Sequence, residues 1–133
     1  MNGLRVSSSL PPELEKLMRD TIGSCLAVHR EFGPGMSEAV YSCATCMELD
    51  ARGIPFEAER PVPIRYRGKL VCQQRIDLFV DGRLVLEIKS VDRIHPVHVA
   101  QVVSYLRLTG ARAGLVVNFN VPILKQGLRR VVL

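Results

Sequence analysis

The sequence predicts an α/β fold, a central β-sheet flanked by helices, and three features point there. Apolar residues recur at helical spacing in two segments up to Arg52. From Phe56 the apolar period changes to two, with a strong hairpin signal at Asp81-Gly82 between alternating runs. A further helical segment then separates that hairpin from a solidly apolar strand run. The 133 residues amount to one domain, and 47% of them are apolar, enough for a core.

Residues 1–10 are polar and serine-rich with no period, and read as a flexible N-terminal tail to a single domain spanning 11–133. Pro11-Pro12 opens the first helix, with Glu13 and Glu15 in the turn where the helix dipole favours acids. Its stripe is Leu14, Leu17, Met18, Ile22, Leu26 and His29, and Gly33-Pro34-Gly35 ends it. A second helix runs from about Met36 to Arg52, with Gly53 as its stop. Its apolar stripe reads as Val40, Cys43, Ala44 and Met47, leaving Glu38, Tyr41 and Thr45 on another face.

Ile64–Arg67 reads as a strand and Gly68-Lys69 as a turn. Arg75–Val80 and Leu84–Ser90 are the hairpin strands. Pro96 begins a third helix that ends before Gly110, Ala113–Phe119 is a buried strand, and Leu128–Leu133 reads as an edge strand.

The hairpin concentrates the chemistry. Ile76, Leu78 and Val80 on one strand, and Leu84, Leu86 and Ile88 on the other, are expected to share a buried face. Asp77, Glu87 and Lys89 then share the opposite face. A two-residue turn would pair Asp77 with Leu86 and defeat this, so the hairpin requires a three-residue connection with Gly82 left-handed and bulged. Two carboxylates and a lysine so placed suit magnesium or manganese, which polarises a phosphoryl oxygen and activates water, with Lys89 orienting that water or meeting developing charge. The plainer reading, a solvated Glu87–Lys89 pair on an outer sheet face, stands beside it.

Three further groups accompany the hairpin. Glu38, at a helix start, offers a third metal carboxylate or simply complements the dipole, and Tyr41 one turn on offers a bond to Glu38 or to phosphate. His98, Gln101 and Tyr105 line one face of the third helix, as a substrate groove or as ordinary surface. Arg65, Arg67 and Lys69 alternate along a strand, either tracking phosphates or protecting an edge. His95 reads as a helix-start residue and His29 as core-edge packing. Cys43-x-x-Cys46 lacks a second ligand pair for zinc, and Cys43 reads as a small core residue. The formal charge of +5 favours a polyanionic partner modestly. No segment approaches a membrane span or a signal peptide, so a cytoplasmic location with reduced thiols is expected.

The run Gly35-Met-Ser-Glu38-Ala-Val-Tyr41 resembles the motif that names the GxxExxY protein family. The similarity extends to the approach from His29 to Gly35, Arg52–Phe56, the hairpin, Pro96-Val-His98 with Gln101, Leu108–Gly110 and Val117–Pro122. That family lies within the PD-(D/E)XK nuclease superfamily. The resemblance implies a restriction-endonuclease-like core: a helix, a mixed sheet, a crossover helix and a further strand. It carries Asp77 onto the superfamily's metal-binding Asp, Glu87-Ile88-Lys89 onto its E-x-K, Glu38 onto the acid some branches supply from a helix, and Gln101 with Tyr105 onto a Q-x-x-x-Y element. Ile76 stands where the superfamily's name has proline.

The expected function is a magnesium-dependent nuclease acting on nucleic acid, DNA ahead of RNA. Glu38, Asp77 and Glu87 would hold the ion. Asp77, Glu87, Lys89 and Gln101 would be catalytic, and Tyr41, His98, Tyr105, Arg65 and Arg67 would bind substrate. A homodimer suits so small a chain facing a duplex. Two other readings keep the same residues: a non-catalytic nucleic-acid or protein binding module, and a metal-dependent hydrolase of small phosphorylated molecules.

Overall fold

A computed structural model describes residues 10–133. Nine of the ten residues read as a tail lie outside the described residues; the tenth, Leu10, is buried in the core, so the packed chain begins before Pro11.

Five strands form one mixed sheet in the order β1-β2-β3-β4-β5: β1 Phe56–Tyr66, β2 Lys69–Val80, β3 Leu84–Lys89, β4 Ala113–Asn118 and β5 Leu128–Val132. All neighbouring pairs are antiparallel except β3 with β4, which are parallel because the connection between them crosses over through helix α3, Pro96–Thr109. Helices α1, Pro12–Phe32, and α2, Glu38–Ala51, pack on the opposite sheet face from α3. β4 is buried along its whole length and β3 along all but Lys89, as expected of central strands covered on both faces.

The face alternation divides β3. Leu84, Leu86 and Ile88 join Leu78 and Val80 in the core beneath α1 and α2. Val85 joins Phe79, Val116, Val102 and Leu106 in the core beneath α3. Ile76 departs from expectation, packing in the α3-side core and not with Leu78 and Val80. The β1–β2 register skips Glu59 and Asp77, and Glu59 is left-handed at φ 51°. That paired irregularity breaks the alternation between Ile76 and Leu78.

The helix α2 stripe is also corrected. Its buried residues are Tyr41, Thr45 and Leu49, while Val40, Cys43 and Met47 are exposed. Of the expected stripe only Ala44 packs against the core, and Met47, though large, is 72% exposed. The Tyr41 ring is buried instead and stacks on Phe119 with centroids 4.4 Å apart. Cys43 is therefore a surface thiol. Cys25 is the buried one, and burial pushes its thiol up to about 12.

The first hairpin is longer than the sequence reading. β1 and β2 extend to a tight turn at Arg67-Gly68, where both residues are left-handed, so Arg67 lies in the turn and Lys69 begins β2 opposite Tyr66. Arg65, Arg67 and Lys69 thus do not form one strand-face row. Pro61 and Pro63 suppress the strand signal in β1, yet β1 is an edge strand, where proline is tolerated.

After β4, a short 3-10 turn, Leu124–Gly127, brings the chain back as β5. A Cβ on Gly127 would collide with the main-chain carbonyl of Asn118, which cannot swing aside. Gly127→Ala is therefore expected to lower stability by about 1–3 kcal/mol, measured by urea unfolding; an unchanged midpoint would show that the strand gives way without cost.

Candidate functional site

The β2–β3 connection has the length the sequence requires. Val80 pairs with Leu84, leaving Asp81, Gly82 and Arg83 between them. Gly82 is left-handed, as expected, and so is Asp81, with the Arg83 amide donating to the Val80 carbonyl at 3.0 Å.

The ladder between β2 and β3 stops at Leu78 and Leu86. Beyond it the strands are joined by side chains. The Asp77 amide donates to Glu87 Oε2 at 3.0 Å, and the Ile88 amide donates to Asp77 Oδ2 at 2.8 Å. Each carboxylate is thus fixed by the other residue's strand, and among the described residues no further hydrogen bond holds Asp77 Oδ1. Glu87 is only 3% exposed, in a strand whose other buried residues are all apolar. Lys89 Nζ stands 4.0 Å from Glu87 Oε1.

Burial, with the charge of Asp77 second, pushes the Glu87 carboxyl up to about 7. Burial also raises Asp77, opposed by the Ile88 amide and by Lys89. Two adjacent acids held above their ordinary range form a centre that gains from a cation.

Glu38 reaches the site from α2. Ser37 caps that helix, its hydroxyl accepting from the Val40 amide. The Ser90 amide donates to Glu38 Oε2 at 3.3 Å, and the Ser90 hydroxyl donates to the Met36 carbonyl at 2.7 Å. Glu38 is close enough for its charge to raise both Asp77 and Glu87. Tyr41 is not on a binding surface. It is fully buried, with its hydroxyl donating to the Gly33 carbonyl and accepting from the Met36 amide. It pins the Gly-Pro-Gly break from which Glu38 projects.

Helix α3 covers the other side. Gln101 Nε2 donates to the Tyr105 hydroxyl at 3.2 Å, and that hydroxyl donates to the Arg75 carbonyl at 3.3 Å. Tyr105 is almost fully buried, and burial and the Glu87 charge raise its phenol. Gln101 and His98 are half-buried at the mouth. His98 Nδ1 accepts from the His95 amide at 3.1 Å, and burial and the charge of Lys89 lower its imidazole. His95 is the helix cap and His29 is buried with a ring nitrogen 2.8 Å from the Val121 carbonyl, both as expected.

Asp77, Glu87, Lys89, Glu38, His98, Gln101 and Tyr105 therefore share one neighbourhood. Arg65 and Arg67 do not. They lie at the far end of the first hairpin, eight residues of β2 away, or roughly 26 Å.

Sequence reasoning singled out neither Ser90 nor Asn118. Asn118 is buried, accepting from the amides of Val91 and Asn120 and donating to the Val91 carbonyl at 2.9 Å. The pair fixes the segment that follows Lys89. Its one trace in the sequence is a polar residue closing the apolar run of β4.

The expected three-carboxylate cage is not assembled. Among the described residues, no three His, Cys, Asp or Glu side chains converge on a common metal position. Asp77 and Glu87 nevertheless fit magnesium, which binds through one or two carboxylates and fills its remaining positions with water and phosphate oxygens.

A family model described as the PD-(D/E)XK nuclease superfamily matches residues 15–131. No curated protein and no solved structure matches the chain.

The raised acids set a pH dependence. Folded Glu87 keeps its proton to about 7, whereas the unfolded chain releases it near 4.5. Between those values the folded state binds more protons, so stability falls as pH rises through the window. Glu87→Gln is expected to flatten that fall and to exceed the parent protein in metal-free stability above pH 7. Magnesium is expected to raise the parent's melting temperature there, and the variant's much less. Parallel stability curves for the two proteins would contradict the assignment.

Proposed function

The chain belongs to the PD-(D/E)XK nuclease superfamily, and from that premise we propose that it is a magnesium- or manganese-dependent nuclease hydrolysing phosphodiester bonds of nucleic acid, DNA first. The observation that carries this reading is the buried Asp77–Glu87 pair, cross-bonded between two strands with Lys89 beside it.

Asp77 and Glu87 would hold the ion, which when bound supplies Lewis acidity toward a phosphoryl oxygen and a more acidic water. The remaining work falls to the chain's own groups. Lys89 extends its ammonium beside Glu87, where it can donate to the attacking water or to the oxygens that gain charge. Glu38, tied to the Ser90 amide, adds negative charge that strengthens cation binding without needing to touch the ion. Tyr105 is bonded to the Arg75 carbonyl next to Asp77, and Gln101 is bonded to Tyr105. Gln101 is thereby oriented at the mouth, where it can both donate to and accept from a substrate. His98, kept mostly neutral, can do the same. Water adds across the P–O bond as a nucleotide oxygen leaves.

Asp77→Ala and Lys89→Ala are each expected to lower cleavage of DNA in magnesium or manganese by about 100-fold or more, with folding intact by circular dichroism, and EDTA is expected to stop cleavage by the parent protein. Duplex bound but never cut, in either metal, would move the reading to a binding module that keeps the nuclease fold.

A further inference from the structure

Between Glu59 and Asp77 the sequence carries five cations, Arg60, Arg65, Arg67, Lys69 and Arg75, and no acid. Two of them are neutralised locally: Arg60 pairs with Glu57 and Arg75 with Glu59. Arg65, Arg67 and Lys69 have no acidic partner among the described residues. All three lie within five residues at the tip of the β1–β2 hairpin.

That tip is an exposed ribbon end. Every β2 residue from Lys69 to Arg75 is exposed, and Tyr66 at the turn is 71% exposed. The base of the ribbon is anchored, because Val62, Ile64 and Ile76 pack in the core beneath α3, the helix that carries His98, Gln101 and Tyr105. Arm and site are thus mounted on one packed unit.

We propose that the β1–β2 arm is a second substrate contact that grips double-stranded DNA through its phosphates, with the ribbon entering the major groove. This rests on the nuclease reading for its substrate class. The major groove, about 12 Å wide, admits a two-stranded β-ribbon. The roughly 26 Å from tip to Asp77 is less than one duplex turn of about 34 Å. A duplex on the arm therefore presents a phosphodiester to the carboxylates within the same turn. A single strand is a poorer fit, since Tyr66 is the arm's one aromatic and no stacking row exists there. Duplex RNA has a major groove too narrow to admit the ribbon. A second copy of this chain is disfavoured as the occupant, because two arms would oppose like charges and Pro61 and Pro63 interrupt the outer edge of β1.

The test is a triple variant, R65S, R67N and K69S. Asn at position 67 suits the left-handed turn position before Gly68, so the hairpin is kept. Binding to a labelled duplex of about two turns is followed by fluorescence anisotropy in EDTA, so that nothing is cut, across a salt series. The variant is expected to bind at least about ten-fold more weakly, with a salt slope smaller by about 3. Its magnesium-induced rise in melting temperature should match the parent's, because the carboxylates are untouched. A second variant, R65K with R67K, keeps the charges and should bind like the parent.

Equal affinity and slope in the triple variant and the parent would overturn the arm, even if Lys89→Ala abolishes cleavage. So would parent binding that prefers single strands or duplex RNA, or no duplex binding by the parent. Arm-dependent duplex binding in a protein that never cuts would uphold the arm and overturn the nuclease reading alone.

Discussion

The two crossed hydrogen bonds between β2 and β3, Asp77 amide to Glu87 and Ile88 amide to Asp77, stand where main-chain rungs would otherwise continue the ladder. They let two carboxylates sit in a sheet interior that is apolar apart from Asn118. A buried carboxylate is costly unless hydrogen-bonded or paired, and one amide each with a lysine at 4.0 Å is partial compensation. The residual cost appears as weakened acidity, both carboxyls holding their protons above the ordinary range. The irregularity at Glu59 and Asp77, which throws Ile76 to the α3 side, belongs to the same break in regular pairing.

From that centre the support runs outward in two directions. Toward α2, the Ser90 amide holds Glu38, the Ser90 hydroxyl holds the Met36 carbonyl, and the buried Tyr41 closes the loop back to Gly33. Glycine at 35, at φ 105°, lets the chain make this reversal. The G-x-x-E-x-x-Y run is therefore a mechanical unit: a backbone reversal, an acid that bonds the strand end, and a tyrosine that locks both. Toward β4, Asn118 fixes Val91. Lys89 is thereby held between two anchored neighbours.

The order of elements and the shared neighbourhood of Asp77, Glu87 and Lys89 were legible in the sequence because they follow from parity, turn length and the strong punctuation of Pro, Gly and Asp-Gly. The face of α2 was not. Helical period and apolarity alone ranked Val40 and Met47 above Tyr41, and only the Phe119 ring, seventy-eight positions away, decides otherwise. The long β1–β2 arm was half hidden for the opposite reason. Its tip buries nothing, so it carries no alternating pattern to read. The role of Ser90 depends on a contact fifty-two residues distant in sequence, which no local pattern encodes.

The charge distribution gives the separation of site and arm a physical basis. The chain as a whole is positive by five, yet the neighbourhood of Glu87 holds three acids against one lysine. With no cation bound and Glu87 ionised, a phosphodiester approaching that neighbourhood meets net repulsion, strengthened by the low-dielectric surroundings of a carboxylate that is 3% exposed. On the proposed reading, affinity for the polyanion is generated at a distance from the centre that needs the acids. In the proposed arm, the three cations at the hairpin tip, without acidic partners among the described residues, would supply it on a scaffold that shares its packing with α3. Attraction is long-ranged and tolerant of position, so it can sit on an exposed ribbon. The acid pair depends on fixed geometry, so it lies where two strands and two helices hold it.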